Sequence, residues 1–294
     1  MTSHALLIVN PGSRRGKESS AEAESRLTAL GLHVIRDSSG SSAEPGELIR
    51  RHAGQVDRVI VGGGDGTLNA AVQGLVGTDL PLGILPLGTA NNLARTLAVP
   101  LTLPEACELA ARGPRRRIDL GWVNGRYFFT TASIGLSVRI TEALTSSTKR
   151  RWGPLAYGVA AVRALTRSRP FHADISWSKG SRHTRTVQIV VGNGRYYGSA
   201  LPVAADATID DARLDLYSLE VRHWLELLAL VPALRRGRHG SKESVEVLRA
   251  TEFEITTVVP REINVDGEIC RRTPARFRVL PAALEVFAPA QSPA

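Results

Sequence analysis

The sequence predicts a protein of two domains: an α/β domain with a mostly parallel sheet and helices on both faces, followed by an antiparallel β-sandwich-like domain. Three observations lead to this fold class. Short apolar runs alternate with helix-like segments over residues 1–118, which is typical of βαβ units. After the basic run Arg115-Arg116-Arg117, strand-like segments dominate. The length of 294 residues favours two hydrophobic cores over one.

The elements of the first domain follow one another regularly. Short apolar runs predict buried strands over residues 5–9, 33–36, 58–61 and 82–85. Segments with helical spacing predict helices over residues 20–30, 43–53, 67–76, 90–98 and 104–111. Ligands of such sheets bind beyond the carboxyl ends of the strands, so the loops that follow the strands are the candidate binding sites.

The second domain is predicted to contain mainly strands, with two helices over residues 154–166 and 221–234. Its strands are predicted over residues 118–123, 127–134, 172–177, 184–192, 213–219, 244–250, 253–257, 263–265, 277–280 and 284–287. We place the boundary near residue 118, which gives domains 1–118 and 119–294. The extreme C-terminus is a candidate for packing back onto the first domain.

The composition describes a basic protein with a formal net charge of +9. This charge attracts nucleic acid, anionic membranes and nucleotide phosphates alike, so it does not choose among them. Residues 1–9 lack the basic leader of a signal peptide, and the apolar run 224–234 is too short to cross a bilayer. A cytoplasmic location is therefore predicted. Cys107 and Cys270 lie far apart and are predicted to be free thiols.

The sharpest local feature is the loop Gly62-Gly63-Gly64-Asp65-Gly66-Thr67, between a predicted strand and a predicted helix. Successive glycines let backbone amides approach phosphate oxygens, and the start of the next helix favours an anion. Asp65 then makes sense beside Mg²⁺ or the reacting hydroxyl. The alternative is a tight turn in which Asp65 caps the helix. Four glycines in five positions are more than a cap requires, which favours phosphate binding.

Two further turns follow strands. Pro86-Leu87-Gly88-Thr89-Ala90-Asn91-Asn92 offers a hydroxyl and two amides to a phosphate, and an ordinary capped helix explains it equally well. The turn after the first strand reads Asn10-Pro11-Gly12-Ser13-Arg14. The Walker A spacing fails at Glu18, and the Rossmann fingerprint does not follow the first strand. All three loops are expected at one rim of the sheet.

In this order and spacing, Asn-Pro-x-Ser, Gly-Gly-Asp-Gly-Thr and Pro-Leu-Gly-Thr-x-Asn resemble the diacylglycerol kinase catalytic-domain family. That family includes bacterial diacylglycerol kinases, YegS-like lipid kinases, and sphingosine and ceramide kinases. The resemblance covers nearly the whole chain. It implies the fold shared by NAD kinases and diacylglycerol kinases, ATP and Mg²⁺ as cofactors, and phosphorylation of a diacylglycerol-like or sphingoid lipid.

The resemblance also implies site residues by position. It places Asp65 beside the γ-phosphate, through magnesium or the acceptor hydroxyl. It assigns nucleotide binding to Asn10, Pro11, Gly12, Ser13, Arg14, Gly62, Gly63, Gly64, Gly66, Thr67, Leu68, Gly88, Thr89, Asn91 and Asn92. Two positions depart from the family pattern: Arg14 stands where the family usually has Gly, and Asn92 where diacylglycerol kinases often have Asp.

In the second domain, Asp266-Gly267-Glu268 matches the family's Asp-Gly-Glu, in which one acid takes the proton from the lipid hydroxyl. Two carboxylates on one turn suit base or metal chemistry. The residues alone, without the resemblance, favour a hairpin turn.

A structural Mg²⁺ is implied by the segment Thr208-Ile209-Asp210-Asp211-Ala212-Arg213. The Asp211 side chain and the carbonyls of Thr208 and Arg213 would be its ligands, and oxygen ligands suit this hard cation. Ala212 stands where the family usually has Gly. The alternative is an acidic turn before a strand.

A kinase with a lipid substrate must reach a membrane, so we expect transient, peripheral binding at its inner face. Two basic segments, 149–152 and 235–242, are candidates for this contact, and solvated loops are the alternative. The reaction centre is expected in a cleft between the domains. Competing interpretations are an NAD kinase and a non-catalytic regulator that binds nucleotides or nucleic acid. The acids at 65, 266 and 268 disfavour the regulator, and no nucleic acid partner is expected. A homodimer is one candidate for the oligomeric state.

Overall fold

A computed structural model describes residues 3–10, 16–36, 44–143, 169–194, 196–197, 201–202, 208–220 and 245–290. The chain divides into two units. The first comprises Met1–Leu120 with Pro281–Ala294, and the second comprises Gly121–Leu280. The C-terminal segment thus belongs to the first unit. The predicted helices over residues 154–166 and 221–234 and the basic segments 149–152 and 235–242 lie outside the described residues.

The first unit contains four parallel strands in the order β2-β1-β3-β4. They are β1 (Ser3–Val9), β2 (Leu32–Ile35), β3 (Arg58–Gly63) and β4 (Leu82–Pro86). Every residue of β3 and β4 is buried, as expected for strands covered on both faces. The last strand of the chain pairs in parallel with β4, with Val286 opposite Leu82.

Five helices connect these strands. They are α1 (Gly16–Ala29), α2 (Pro45–His52), α3 (Asp65–Leu75), α4 (Asn92–Thr96) and α5 (Leu103–Arg112). Each predicted helix of this region is present, with ends that differ by a few residues. The largest difference is at α1, which begins at Gly16 and not at residue 20. Helix α4 begins later than predicted because Asn91 before it has a φ of 51°, outside the right-handed helical region. The parallel α/β architecture predicted for the N-terminal part is confirmed.

The second unit consists mainly of antiparallel strands. Its first strands are β5 (Arg115–Val123), β6 (Arg126–Phe128), β7 (Thr131–Gly135), β8 (Phe171–Trp177), β9 (Gly180–Thr186) and β10 (Gln188–Gly192). The others are β11 (Tyr196–Tyr197), β12 (Leu201–Pro202), β13 (Leu214–Leu219), β14 (Val245–Ala250), β15 (Glu252–Thr257), β16 (Glu262–Val265), β17 (Glu268–Arg272) and β18 (Ala275–Phe287). The chain enters this unit within β5 and leaves it within β18.

These strands form two main antiparallel layers within the unit. One sheet has the order β14-β13-β10-β7-β16-β17, and β18, β15, β8 and β9 pair successively in the other. Apolar side chains from both layers, among them Phe128, Phe253 and Phe277, form one buried core. Alternate residues of β8 and β15 are buried, which is the pattern of strands with one face on a core. The predicted antiparallel β domain is confirmed.

Several element predictions differ from the structure. Residues 184–192 were predicted as one strand, but β9 ends at Thr186 and β10 begins at Gln188. Strands β11, β12 and β17 were not predicted. Residues 127–134 were expected to form one strand, but a turn at Phe129 and Thr130 separates β6 from β7. Residues 277–280 and 284–287 were expected to be two strands and belong to the single strand β18. Helix α6 (Leu136–Ala143) was not predicted.

Both cysteines are free, as predicted. Cys107 is buried in α5, and this burial raises the pKa of its thiol to about 11. Cys270 is partly buried, which also raises its pKa. Within the part of the chain that the structure describes, no helix has both the length and the apolar character needed to cross a bilayer.

Candidate functional site

The three loops predicted to bind phosphate leave neighbouring strands at one edge of the parallel sheet. Gly63 at the end of β3 pairs with Pro86 at the end of β4. The Leu87 amide donates to the Gly63 carbonyl at 3.1 Å, and the Asn10 amide donates to the Gly62 carbonyl at 3.0 Å. The beginnings of all three loops are therefore fixed to one another by backbone hydrogen bonds.

The second and third of these loops touch through two glycines. A Cβ atom on Gly88 would lie 2.4 Å from the Gly64 Cα, and one on Gly64 would lie 3.2 Å from the Gly88 Cα. Distances below 3 Å are sterically forbidden for a Cβ, so Gly88 is required for this contact. The close approach explains the glycine in Pro-Leu-Gly-Thr without reference to a ligand.

Asp65 connects the same two loops through its carboxylate. Its Oδ2 accepts hydrogen bonds from the Asn92 amide at 3.1 Å and the Asn92 side chain at 3.3 Å. Its Oδ1 accepts one from the Leu93 amide at 3.0 Å. These amides belong to the first turn of α4, where no intrahelical acceptor exists. Asp65 thus caps α4, whereas the alternative weighed from the sequence had it capping the helix of its own loop.

Asn91 closes the loop in which it lies. Its Oδ1 accepts from the Gly88 amide at 3.0 Å, and its Nδ2 donates to the carbonyls of Gly88 at 3.0 Å and Pro86 at 3.3 Å. The side chain is buried. Asn91 therefore shapes the turn, and its predicted nucleotide contact stays a prediction, as does that of Asn92, which donates to Asp65.

The N-terminus of α3 presents the donors expected for a phosphate. The amides of Thr67 and Leu68 both donate to the Gly64 carbonyl, so the helix begins with the amides of Asp65 and Gly66. Gly66 is exposed, and a Cβ on it would meet no atom within 4 Å. Thr89 is exposed as well. This open face combines backbone donors with the positive end of a helix, which together bind anions.

The other residues that were predicted to bind the nucleotide differ in their surroundings. Asn10 donates through its side chain to the Thr67 hydroxyl at 3.3 Å, which joins the first loop to α3. The Leu68 side chain lies in the core, 1% exposed, so it packs under the loop. Pro11, Gly12, Ser13 and Arg14 lie outside the described residues.

In the second unit, Asp266 and Gly267 form the turn of the β16–β17 hairpin. Val265 pairs with Glu268 across it, and φ is 46° at Asp266 and 98° at Gly267. Positive φ at both central residues is typical of the type I′ turn that aspartate–glycine favours. The hairpin interpretation of the sequence therefore describes the backbone correctly.

The Asp266 carboxylate is occupied by donors from the turn between β6 and β7. It accepts hydrogen bonds from the amides of Phe129 at 2.7 Å, Thr130 at 3.1 Å and Thr131 at 2.9 Å, and from the Thr130 hydroxyl. Burial raises the pKa of Asp266, and these four donors oppose that rise. With its lone pairs directed at one turn, Asp266 acts as an anchor.

Glu268 presents a carboxylate to solvent. Its side chain is 46% exposed, and its Oε2 accepts a hydrogen bond from the Arg126 guanidinium at 2.6 Å. The sequence alone does not reveal Arg126, because 142 residues separate it from Glu268 and no local motif contains it. The same holds for Thr130, which binds Asp266.

The predicted magnesium-binding segment forms a tight turn around Asp211. The carboxylate accepts from the amides of Thr208 at 3.2 Å and Arg213 at 3.3 Å, and it pairs with the Arg213 guanidinium at 3.3 Å. Ala212 adopts a φ of 56°, the left-handed conformation that glycine usually provides. The ion pair neutralises the one carboxylate that a cation would need. Magnesium binding here stays a prediction, and this pairing opposes it.

Comparison with known proteins identifies the family of the chain. Residues 4–123 match the diacylglycerol kinase catalytic domain, and residues 130–288 match the YegS C-terminal NAD kinase beta sandwich-like domain. The chain is 34% identical over 278 residues to a protein of Chromohalobacter salexigens named "Probable lipid kinase YegS-like", covering 91% of this chain and 88% of that protein. It is 30% identical over 296 residues to a Mycobacterium tuberculosis diacylglycerol kinase, covering 96% of this chain and 94% of that one.

Solved structures show the same fold. The crystal structure of a diacylglycerol kinase from Bacillus anthracis aligns with a TM-score of 0.79 at 23% identity, covering 98% of this chain and 97% of that one. An NAD kinase from Archaeoglobus fulgidus in complex with ATP aligns with a TM-score of 0.55 at 11% identity, covering 97% and 93%. The chain therefore belongs to the diacylglycerol kinase-like family of lipid kinases, which use ATP.

Proposed function

We propose that this protein transfers the γ-phosphoryl group of ATP to the hydroxyl of a diacylglycerol-like or sphingoid lipid, with Mg²⁺ bound to the nucleotide. The observation that supports this most is the pair of glycine turns joined by Asp65. Helices α3 and α4 begin at these two turns. The Asp65 side chain, from the first turn, is fixed by hydrogen bonds to the start of α4. Phosphoryl transfer depends mainly on positioning and charge neutralisation, which such a rigid cradle provides.

The triphosphate is held, in this proposal, by the amides of Asp65 and Gly66 and by the hydroxyl of Thr89. Backbone donors at a helix start need no rearrangement when the anion arrives. Asn10 and Thr67 add side-chain donors at the rim of the first loop. Because Gly66 has open space around it, phosphate oxygens can approach its backbone closely.

Asp65 also suits the magnesium that accompanies ATP. Its Oδ1 accepts a hydrogen bond from the Leu93 amide and retains a second lone pair for a hard cation. Bound there, Mg²⁺ would neutralise charge on the transferring phosphate. The hydrogen bonds from Asn92 and Leu93 hold the carboxylate in place and neutralise part of its charge.

Glu268 is the residue that we assign as the general base. It is exposed, whereas the lone pairs of Asp266 are engaged by the turn at residues 129–131. The lipid hydroxyl oxygen attacks the γ-phosphorus, the bond from that phosphorus to the β-phosphate oxygen breaks, and ADP leaves. The hydroxyl proton passes to the Glu268 carboxylate. Arg126 orients that carboxylate before the transfer.

The test is turnover of labelled ATP in detergent micelles with diacylglycerol, sphingosine, NAD or no acceptor, resolved by product chromatography. We expect a phosphorylated lipid. We expect Glu268→Gln to lower kcat by about 100-fold or more, the usual contribution of a general base. Glu252→Gln is the matched control, because Glu252 is also a partly exposed carboxylate paired with arginines in the second unit.

Phosphorylation of NAD in place of lipid would overturn the proposal. Normal turnover by folded Glu268→Gln would remove Glu268 from the mechanism. An Asp65→Asn variant separates the two functions of that residue. It should lose about 1 kcal/mol of stability through the α4 cap, and it should lose Mg²⁺-dependent turnover well beyond what that loss explains.

A further inference from the structure

The loop between β15 and β16 exposes two neighbouring valines. Val258 is 85% exposed and Val259 is 65% exposed. Within the described part of the chain, Leu101 at 45% is the one other large hydrophobic side chain that is exposed. Single exposed apolar residues are common on protein surfaces, but Val258 and Val259 together form a small apolar patch on the exposed loop.

This loop is held by hydrogen bonds on both sides of the valines. The Thr257 hydroxyl donates to the Val259 carbonyl at 2.9 Å. The Arg261 amide donates to the Thr273 hydroxyl at 2.8 Å, and the Thr273 amide donates to the Arg261 carbonyl at 2.9 Å. The valines are therefore presented to solvent by a fixed backbone, at the entrance to β16.

Two arginines lie near the base of this loop. The Arg261 guanidinium lies over the Phe171 ring, 4.1 Å from its centroid. Burial and the nearby positive charge of Arg139, on α6, lower the pKa of Arg261. An arginine nevertheless stays protonated at neutral pH. Of the nearby acids, Glu262 is paired with Arg272 at 2.8 Å, and Asp174, opposite Thr256 on β8, accepts a hydrogen bond from His183 at 2.7 Å.

We propose that Val258 and Val259 insert into the headgroup region of an anionic phospholipid bilayer, with Arg261 and Arg139 facing the lipid phosphates. This inference deepens the proposed function, on which it rests, by naming the surface that meets the membrane. An apolar tip with a basic rim is the arrangement that interfacial insertion requires. A protein partner would need roughly 800 Å² of matching surface, far more than two valines supply.

Insertion at this loop would also set the position of Glu268 relative to the membrane. Strand β16 runs from Glu262 to Val265 and leads directly into the turn that carries Glu268. Four residues of strand span about 13 Å. One short, hydrogen-bonded strand thus connects the membrane contact to the proposed base.

The experiment is sedimentation with vesicles of phosphatidylcholine containing about one third phosphatidylglycerol. We expect the double variant Val258→Asn/Val259→Asn to bind about tenfold more weakly, because the apolar area is lost. Leu101→Asn is the matched control and should bind as the unchanged protein does. Arg261→Gln should weaken binding to these vesicles and have little effect with phosphatidylcholine alone.

Activity assays separate this proposal from the proposed function. With short-chain diacylglycerol dispersed in water, the double variant should turn over normally, while activity on vesicles falls with binding. Unchanged vesicle binding by the double variant would overturn the loop assignment and leave the kinase proposal intact. If no lipid is phosphorylated but binding depends on the valines, the kinase proposal fails instead. A shift from dimer to monomer by light scattering, without a change in vesicle binding, would identify the loop as a contact between copies and overturn the proposal.

Discussion

At the scale of single residues, two glycines of the loops predicted to bind nucleotide differ in what they are needed for. Gly88 lies against the Gly64 backbone, where a Cβ would come within 2.4 Å of the Cα. A Cβ on Gly66 would meet no atom within 4 Å, and this residue lies in the helical first turn of α3. The structure needs the first glycine, whereas the second leaves room for a ligand.

Replacing each of these glycines with alanine should therefore give opposite results. Gly66→Ala should keep its unfolding free energy, since alanine suits a helix, and should lose about 100-fold in kcat/KM for ATP because the methyl displaces the phosphate. Gly88→Ala should lose about 1–3 kcal/mol of stability through overpacking. Urea denaturation and ATP kinetics on both variants provide the measurement. Full activity of Gly66→Ala would show that phosphate does not approach this backbone.

Sequence reasoning named three loops that the structure places at one edge of the sheet, but it did not reveal all the hydrogen bonds within them. Glycine density and position after a strand are local properties, so they could be read directly. The contact of Asp65 with Asn92 crosses 27 residues, and that of Asp266 with Thr130 crosses 136. Such pairs depend on the strand order, which one sequence does not determine. For this reason the sequence did not reveal that Asp65 caps α4 or that Asp266 binds the turn at residues 129–131.

At the scale of elements, strand and helix types were predictable where apolar periodicity was strong, as in β3 and β4. Boundaries failed where a turn depended on distant partners. The break at residues 129–130 is held by Asp266, from a hairpin far along the chain. Strand β18 continues through Pro281, between the two strands that were predicted over residues 277–280 and 284–287. Local signals describe an element well, but tertiary hydrogen bonds decide where it ends.

The turn at residues 208–213 offers a direct test at this scale. Ala212 has a φ of 56°, a conformation that costs an alanine about 1 kcal/mol relative to glycine. We expect Ala212→Gly to raise the free energy of unfolding by about that amount, as measured by urea denaturation. Ala21→Gly, at an exposed position inside α1, is the control and should lower it by up to about 1 kcal/mol.

The same variants test whether magnesium binds at Asp211. A melting temperature that rises with Mg²⁺ in the unchanged protein, and more so in Ala212→Gly, would support the cation that the family resemblance implies. A melting temperature that does not change with Mg²⁺ or EDTA would indicate that the ion pair between Asp211 and Arg213 stabilises this turn without a cation.

At the scale of the whole molecule, the chain leaves the first unit and returns to it. The return is fixed by the Ala282 amide, which donates to the Asp119 carboxylate at 2.8 Å, and by the pairing of Val286 with Leu82. Phe287 follows, 2% exposed, with the Arg58 and Arg115 guanidinium groups 5.0 and 4.9 Å from its ring centroid. From the sequence, the extreme C-terminus was only a candidate for packing onto the first domain.

Arg58 links that returning strand to the helix that carries Cys107. Its Nη1 donates to the carbonyls of Ala110 at 3.1 Å and Ala111 at 2.7 Å, at the end of α5. These are carbonyls of the last helical turn, which have no intrahelical donor. Since Phe287 packs against the same guanidinium, removing its ring should loosen the end of α5 as well as the sheet edge.

Phe287→Ala should therefore destabilise the first unit by about 3–5 kcal/mol, the usual cost of removing a buried phenylalanine ring.

The two cysteines report on the units separately, because Cys107 lies in the first and Cys270 in the second. We expect a thiol reagent to label Cys107 only after the first unit opens, since burial raises its pKa to about 11 and encloses it. In Phe287→Ala that labelling should become faster, while the rate at Cys270 stays the same. Equal acceleration at both thiols would show that the C-terminal segment stabilises the two units together, and an unchanged rate at Cys107 would show that the ring contributes little to the first.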